Sequence, residues 1–368
     1  MGERGKPRVN LDWARLRAVV LESDDWGLCA WAADRDAWAA LAETPAFLSP
    51  AGKRYGGSTL ESAADVRSLA ALLLEHQGGD GRSPVWQANT VMANPDYARL
   101  MAGTPDALPL IELPETPARW RRQGLWDEVR RACDAGVWRI ELHGLHHLPE
   151  SAWLAALRRG DDDARRALAA ASPVCSAVDA SGEYDPAEPS EVRRRGLARA
   201  IARFRVLTGR APASFCPPDY RWDESLEADA ECHGVTTFQG KAEQAGRPLG
   251  RLRRALLAPR WPHVAGARFY MPPRIAFEPC GPEPGRAQAA VASALRRVRE
   301  AWARARPAVV SSHRLNYAHL DPAWSEAGRE ALRELLAGLC HEGATFLVDA
   351  DVRSLVERGV RAEERTEP

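Results

Sequence analysis

Two carboxylates stand side by side where an apolar run ends: Asp24 and Asp25 follow residues 17–22, RAVVLE. Adjacent carboxylates in such a place repel unless a cation or a shared proton sits between them. Further along, His143 and His147 are four residues apart across Gly144, directly after VWRIEL. A helical turn after Gly144 would aim both imidazoles at one point, as metal ligation requires. His146 is an alternative to His147, at a poorer spacing. His313 closes another apolar run, AVVSS. One Asp with two His leaves coordination positions open for water and substrate, the pattern of a catalytic rather than a structural metal site. Each signal has an ordinary reading when taken singly: a helix cap for Asp24-Asp25, a surface pair for His143 and His147, a core histidine for His313. Together, at the ends of strands, they argue for a divalent-metal centre.

Such residues need strands to carry them to one place. Strand-like runs are expected at 17–22, 84–90, 110–113, 137–142, 213–217, 235–238, 268–271, 308–312 and 345–348. Helical periods fall between them at 59–77, 117–135, 151–159, 190–207, 224–233, 286–304 and 325–340. Strands alternating with helices argue for a parallel sheet. Seven or eight such units close most naturally into a barrel, so the expected fold is α/β, a distorted (β/α)7-8 barrel. The expected organisation is one domain over 1–368, with a lid-like insertion at about 149–189 and a frayed tail after about 359. An open doubly wound sheet is the second choice. It is weakened because no glycine-rich dinucleotide fingerprint follows the first strand.

In a barrel the C-terminal strand ends converge on one mouth. Trp26, Asn89, Tyr220, Gln239, Arg274, Arg314 and Asn316 stand at or near those ends and are candidate substrate contacts. Trp86, Trp222 and Tyr317 are further rings in the same regions.

Composition narrows the partners. Lys+Arg and Asp+Glu both number 50, which removes any global pull toward nucleic acid or an anionic membrane. Seven cysteines without a C-x-x-C pair read as reduced thiols in a cytoplasmic protein. No apolar leader or membrane-length apolar run is visible. A small-molecule or saccharide substrate is therefore expected, and the oligomeric state is left open.

The motif set resembles the polysaccharide deacetylase (NodB-homology) superfamily, related to carbohydrate esterase family 4. Asp24-Asp25 matches its first motif, and His143 and His147 match its His-x-x-x-His. Phe215-Cys216-Pro217-Pro218-Asp219-Tyr220 approximates its Arg-x-Pro-Tyr element, and His313 matches its late-strand histidine. A bacterial deacetylase-like subgroup, with Ser-Asp-Asp-Trp-Gly and His-Gly-x-x-His-Leu, is more similar still, from residue 19 to about 352. The resemblance implies a metal on Asp25, His143 and His147, usually Zn2+, with Co2+, Ni2+ or Mn2+ as substitutes. It implies Asp24 as general base and His313 as general acid.

Two departures stand out. The family's third-motif Arg falls at Cys216, and a thiol cannot make a charge-assisted pair with the base. Arg260, Arg274 or Arg314 would have to supply it from another strand. The family's fourth motif, which tunes the acid histidine, is not evident. The implied activity is metal-dependent hydrolysis of a C–N amide bond, as N-deacetylation of an acetylated amino sugar or related small metabolite. The alternatives are another metal-dependent hydrolytic reaction on a biosynthetic intermediate, or an inactive ligand-binding barrel.

Overall fold

The structure, a computed structural model, describes residues 11–103, 105–178, 182–244 and 261–364. Eleven strands lie among the described residues: β1 (Ala18–Trp26), β2 (Trp86–Thr90), β3 (Ala93–Pro95), β4 (Leu110–Glu112), β5 (Trp138–Leu142), β6 (Thr237–Phe238), β7 (His263–Ala265), β8 (Arg268–Tyr270), β9 (Arg274–Ala276), β10 (Ala308–His313) and β11 (Thr345–Leu347).

β1 is the centre of the sheet. Its first half, Ala18 to Leu21, is a buried run of apolar residues, as expected of a parallel strand covered on both faces. It pairs parallel with β10 from Val19↔Ala308 to Asp24↔His313. That register alone sets the first carboxylate beside the late histidine. On its other edge β11 pairs the start of β1, and β2 takes over from Leu21. β2 pairs parallel with β5, and β9 with β10.

The arc continues through single bridges, Leu142 to Phe215 and Phe215 to Phe238, into β6 and then β8. β7 adds antiparallel to β8, and β3 with β4 forms a separate antiparallel pair. The fold is thus mixed α/β with a central parallel sheet. No strand pairing joins β8 to β9 among the described residues, so closure of the expected barrel is not shown. Pro272 and Pro273 lie between those two strands and carry no N–H to donate.

Helices cover the arc. Ala63–Leu74 starts on a reciprocal Ser62–Asp65 capping box and buries Val66, Leu69, Leu72 and Leu73. It packs on Leu125–Asp134, while Arg286–Ala303 packs on Pro322–His341. Among the described residues no helix is long and apolar enough to cross a membrane.

Three local expectations change. β1 runs on to Trp26, and its polar half is buried with side-chain partners: Arg274 pairs with Glu22 and Asp24, and the Trp26 indole donates to Ser23. The strand expected at 213–217 is reduced to bridges at Phe215, since Pro217 and Pro218 follow and Asp219 and Tyr220 take positive φ. The insertion expected at about 149–189 carries the helix expected at 151–159, as Glu150–Arg159, and a second one, Asp162–Ala169, that was not expected. Trp153, Leu154, Leu157, Ala164 and Leu168 from those helices join the main core. The last helix, Asp349–Glu364, runs into the stretch after 359.

Candidate metal centre

β1 delivers two carboxylates into two different settings. Asp24 is the last residue in register with β10, and its side chain is buried. Asp25 follows with φ +73°, which breaks the alternation of the strand, and both carboxylates reach the same cavity. Asp25 Oδ1 lies 3.3 Å from His143 Nε2 and 3.5 Å from His147 Nε2. One ligand atom from each of these three residues falls within 4.8 Å of the others.

The donor set fits a divalent transition metal: one carboxylate oxygen and two imidazole nitrogens. The second nitrogen of His143 supports the fit. His143 Nδ1 donates to the Cys216 carbonyl at 2.8 Å, which leaves Nε2 with its lone pair aimed at Asp25. A second group, Asp24 with His143 and Cys216, is also compact. It fits less well. Burial and the Asp24 charge push the Cys216 thiol well above its usual range, and Asp24 is already engaged.

His147 reaches the site by a route the spacing did not reveal. The chain after Gly144 forms no helical turn. Instead the Glu183 carboxylate sits inside the loop and accepts three backbone N–H groups. Leu145 donates at 2.8 Å, His146 at 2.7 Å and His147 at 2.6 Å. Gly144 has φ +86°, and a Cβ there would lie 2.8 Å from Glu183 Oε1, so the carboxylate occupies the space a side chain would take. His146 points away from Asp25, with Nε2 3.8 Å from Glu150 and Nδ1 3.6 Å from Glu183. Sequence reasoning missed Glu183, which lies in a Ser/Gly/Pro-rich stretch that carries no periodic signal.

The guanidinium absent at Cys216 comes from β9. Arg274 holds Asp24 with two parallel bonds, Nη1 to Oδ2 at 2.7 Å and Nη2 to Oδ1 at 2.8 Å. Asn89 adds a third donor to Asp24 Oδ1 at 2.7 Å, and the Tyr220 hydroxyl a fourth at 3.3 Å. Burial works to raise the Asp24 carboxyl, but Arg274 outweighs it and holds it well below the usual carboxylate range. The other side of Arg274 pairs with the fully buried Glu22. Arg314 instead ties down the loop after β1, donating to the Leu28 carbonyl at 2.6 Å and lying 3.3 Å from Glu61. Arg260 lies outside the described residues.

His313 has a partner the sequence did not expose. Its Nδ1 donates to Glu278, whose other oxygen accepts from Asn316 at 2.7 Å and lies 2.8 Å from Arg54. Burial opposes the His313 imidazolium, but Glu278 outweighs burial, with Asp25 and Asp24 adding to it. The pKa is pushed up to about 9. The other ring nitrogen, Nε2, faces Asp24 at 3.9 Å. Glu278 follows β9 by two residues, and β9 itself was not among the expected strands.

These groups line a cavity of about 500 Å³ at the strand ends. Asp24, Asp25, His143, His147, Tyr220 and His313 all reach it. The other candidate substrate contacts do not line it. Trp26 is buried against Trp138 with its indole N–H on Ser23. Gln239 bonds Asn89 and Ser214 behind Asp24. Asn89 and Arg274 hold Asp24, Asn316 holds Glu278, and Arg314 braces a loop. Trp86, Trp222 and Tyr317 are core residues.

No protein family matched the chain by sequence, and no curated protein did. Solved structures did. One described as a polysaccharide deacetylase of Mycobacterium smegmatis is 15% identical over 94% of this chain and 91% of its own, with a TM-score of 0.46. Another described so, from Pseudomonas aeruginosa, is 12% identical over 99% and 97%, with a TM-score of 0.47. A family 4 acetyl xylan esterase of Clostridium thermocellum, in complex with a cobalt ion, is 12% identical over 92% and 91%, with a TM-score of 0.42. The chain is thus similar to structures from the superfamily its motifs resemble.

Proposed function

We propose that the protein is a metal-dependent hydrolase of a C–N amide bond, releasing an acyl group from the amine of a small metabolite. Deacetylation of an acetylated amino sugar or a relative of one is the form that the motif resemblance implies. The observation that carries the reading is the meeting of Asp25, His143 and His147 within one cavity, with Asp24 and His313 flanking them.

Asp25, His143 and His147 would hold the ion, most simply Zn2+. A bound ion of this kind acidifies water and polarises an acyl oxygen. Arg274, Asn89 and Tyr220 keep Asp24 ionised and fixed, so it is always able to accept the proton of the attacking water. Its low basicity means that it does not retain that proton, which passes to His313, facing it at 3.9 Å, once His313 has given its own to the amine. His313, kept protonated by Glu278 through neutral pH, donates to the leaving nitrogen. The C–N bond breaks, a C–O bond forms from water, and one proton ends on the amine.

The test combines metal content with turnover. Purified protein should carry about one equivalent of zinc or a similar metal, and His143→Ala/His147→Ala should lose it. Asp24→Asn should keep the metal yet lose acid release from a panel of N-acyl amines. A wild type that binds no zinc, cobalt, nickel or manganese would sink the reading. An Asp24→Asn protein that keeps full turnover would remove Asp24 from the mechanism, and retained ligand binding without any turnover would favour the inactive barrel.

A further inference from the structure

The cavity has two unlike ends, and the difference points to the substrate. Its polar side-chain groups, apart from the Tyr55 hydroxyl, the Cys175 thiol and the indole N–H groups of Trp31 and Trp153, are those already placed around the reacting atoms, with Asp219 behind His147. The remainder is apolar. Leu28, Ala30 and Trp31 come from the loop after β1, Leu148 from the residue after His147, and Trp153 and Val174 from the insertion. Among the described residues no Lys, Arg, Asn, Gln, Ser or Thr lines it. Against this apolar part of the lining a sugar ring would leave hydroxyls without side-chain partners, at a cost of roughly 1–3 kcal/mol for each one buried and unpaired.

The order of strands decides which half of the amide enters the apolar end. Across the arc, β5 with His143 comes first, then β2, then β1 with the two Asp, then β10 with His313. The leaving nitrogen must face His313, on the β10 side. The acyl carbon substituent then extends toward the β5 side, where Leu148 and Trp153 follow His147 in the chain.

We propose that the substrate is an N-acyl amine whose acyl group is an apolar chain longer than acetyl. This deepens the amide-hydrolase reading and rests on it. The loop after β1 is built to hold its part of the wall. Gly27 N–H donates to Glu61 at 3.0 Å, Cys29 N–H donates to Asn94 at 2.7 Å, and the Tyr97 hydroxyl donates to the Cys29 carbonyl at 2.8 Å. A wall fixed by buried hydrogen bonds is preorganised for its ligand and needs little ordering on binding.

The test is a ladder of straight-chain hydroxamates, from two to eight carbons, titrated into zinc-loaded protein by calorimetry. The head group chelates the metal, and the tail probes the wall. Affinity should rise by about fourfold per buried methylene over the first several carbons. Val174→Asp, and separately Val178→Asp, should flatten the ratio of eight-carbon to two-carbon affinity. Both positions are half-buried, so the charge does not enter a closed core. A flat or falling ladder in the wild type, with the two-carbon compound bound, would overturn the proposal and leave the hydrolase reading intact. If no hydroxamate binds, the metal reading fails instead. The same ladder of simple n-alkyl amides on the metal-free protein then decides the pocket by whether affinity climbs with length.

Discussion

The two ends of the cavity are stabilised by different physics. At the metal end each reacting side chain whose partners are seen is held by named polar bonds. Asp24 has Arg274, Asn89 and Tyr220; His143 has the Cys216 carbonyl; His313 has Glu278. At the other end the wall side chains are held by packing alone, and only the backbone beneath them is pinned by hydrogen bonds. Polar fixation sets angles and protonation states, which chemistry needs. Packing sets volume, which selection among substrates needs. Removing a group from the first end should therefore change what the site does, and removing one from the second should change what it accepts.

The most severe break of that contrast is Arg274→Met. It leaves Glu22 buried without its cation and Asp24 with only His313 at 3.9 Å, and stability should fall by ~3–5 kcal/mol, read by urea unfolding. If stability holds, the polar end is less dependent on this one guanidinium than its geometry implies. Next comes Glu278→Gln, which sharpens the contrast by altering protonation and nothing in the wall. A general acid works protonated, so the activity of the wild type should persist up to about pH 9 and fall above it. Without the Glu278 charge the limb should move down toward the ordinary histidine value of ~6.5. An unmoved basic limb in the rate profile would exclude His313 as the acid. The smallest effect is expected for Glu183→Gln. One amide oxygen cannot replace both carboxylate oxygens facing three N–H groups, and zinc affinity should fall by about 10–100-fold in a chelator competition. Unchanged affinity would mean that the loop holds its shape without the anion.

What the sequence showed follows the same division. Asp24, Asp25, His143, His147 and His313 were legible because they end apolar strands, and parallel pairing brings strand ends together. Their supports were not. Arg274 stood among three candidate arginines, and only the pairing of β9 with β10 selects it. Glu278 and Glu183 have no periodic context, since their partners lie 35 to 38 residues away in the chain. The β/α alternation read correctly as a parallel α/β fold, yet strands of two or three residues such as β6 and β9 are too short to leave a pattern. The apolar wall was invisible for another reason: Leu, Trp and Val are core residues by default, and nothing in their order marks those left facing a cavity.

Glu183 has an implication for how such a protein can diversify. The carboxylate that shapes the His143–His147 loop belongs to the same insertion that supplies Trp153 and Val174 to the wall. On the proposed reading, specificity and metal retention are therefore not separable modules. Grafting a foreign insertion to recruit a new substrate would also delete the anion that shapes the chain's own ligand loop. Only variants that carry an acid to the same spot would keep both.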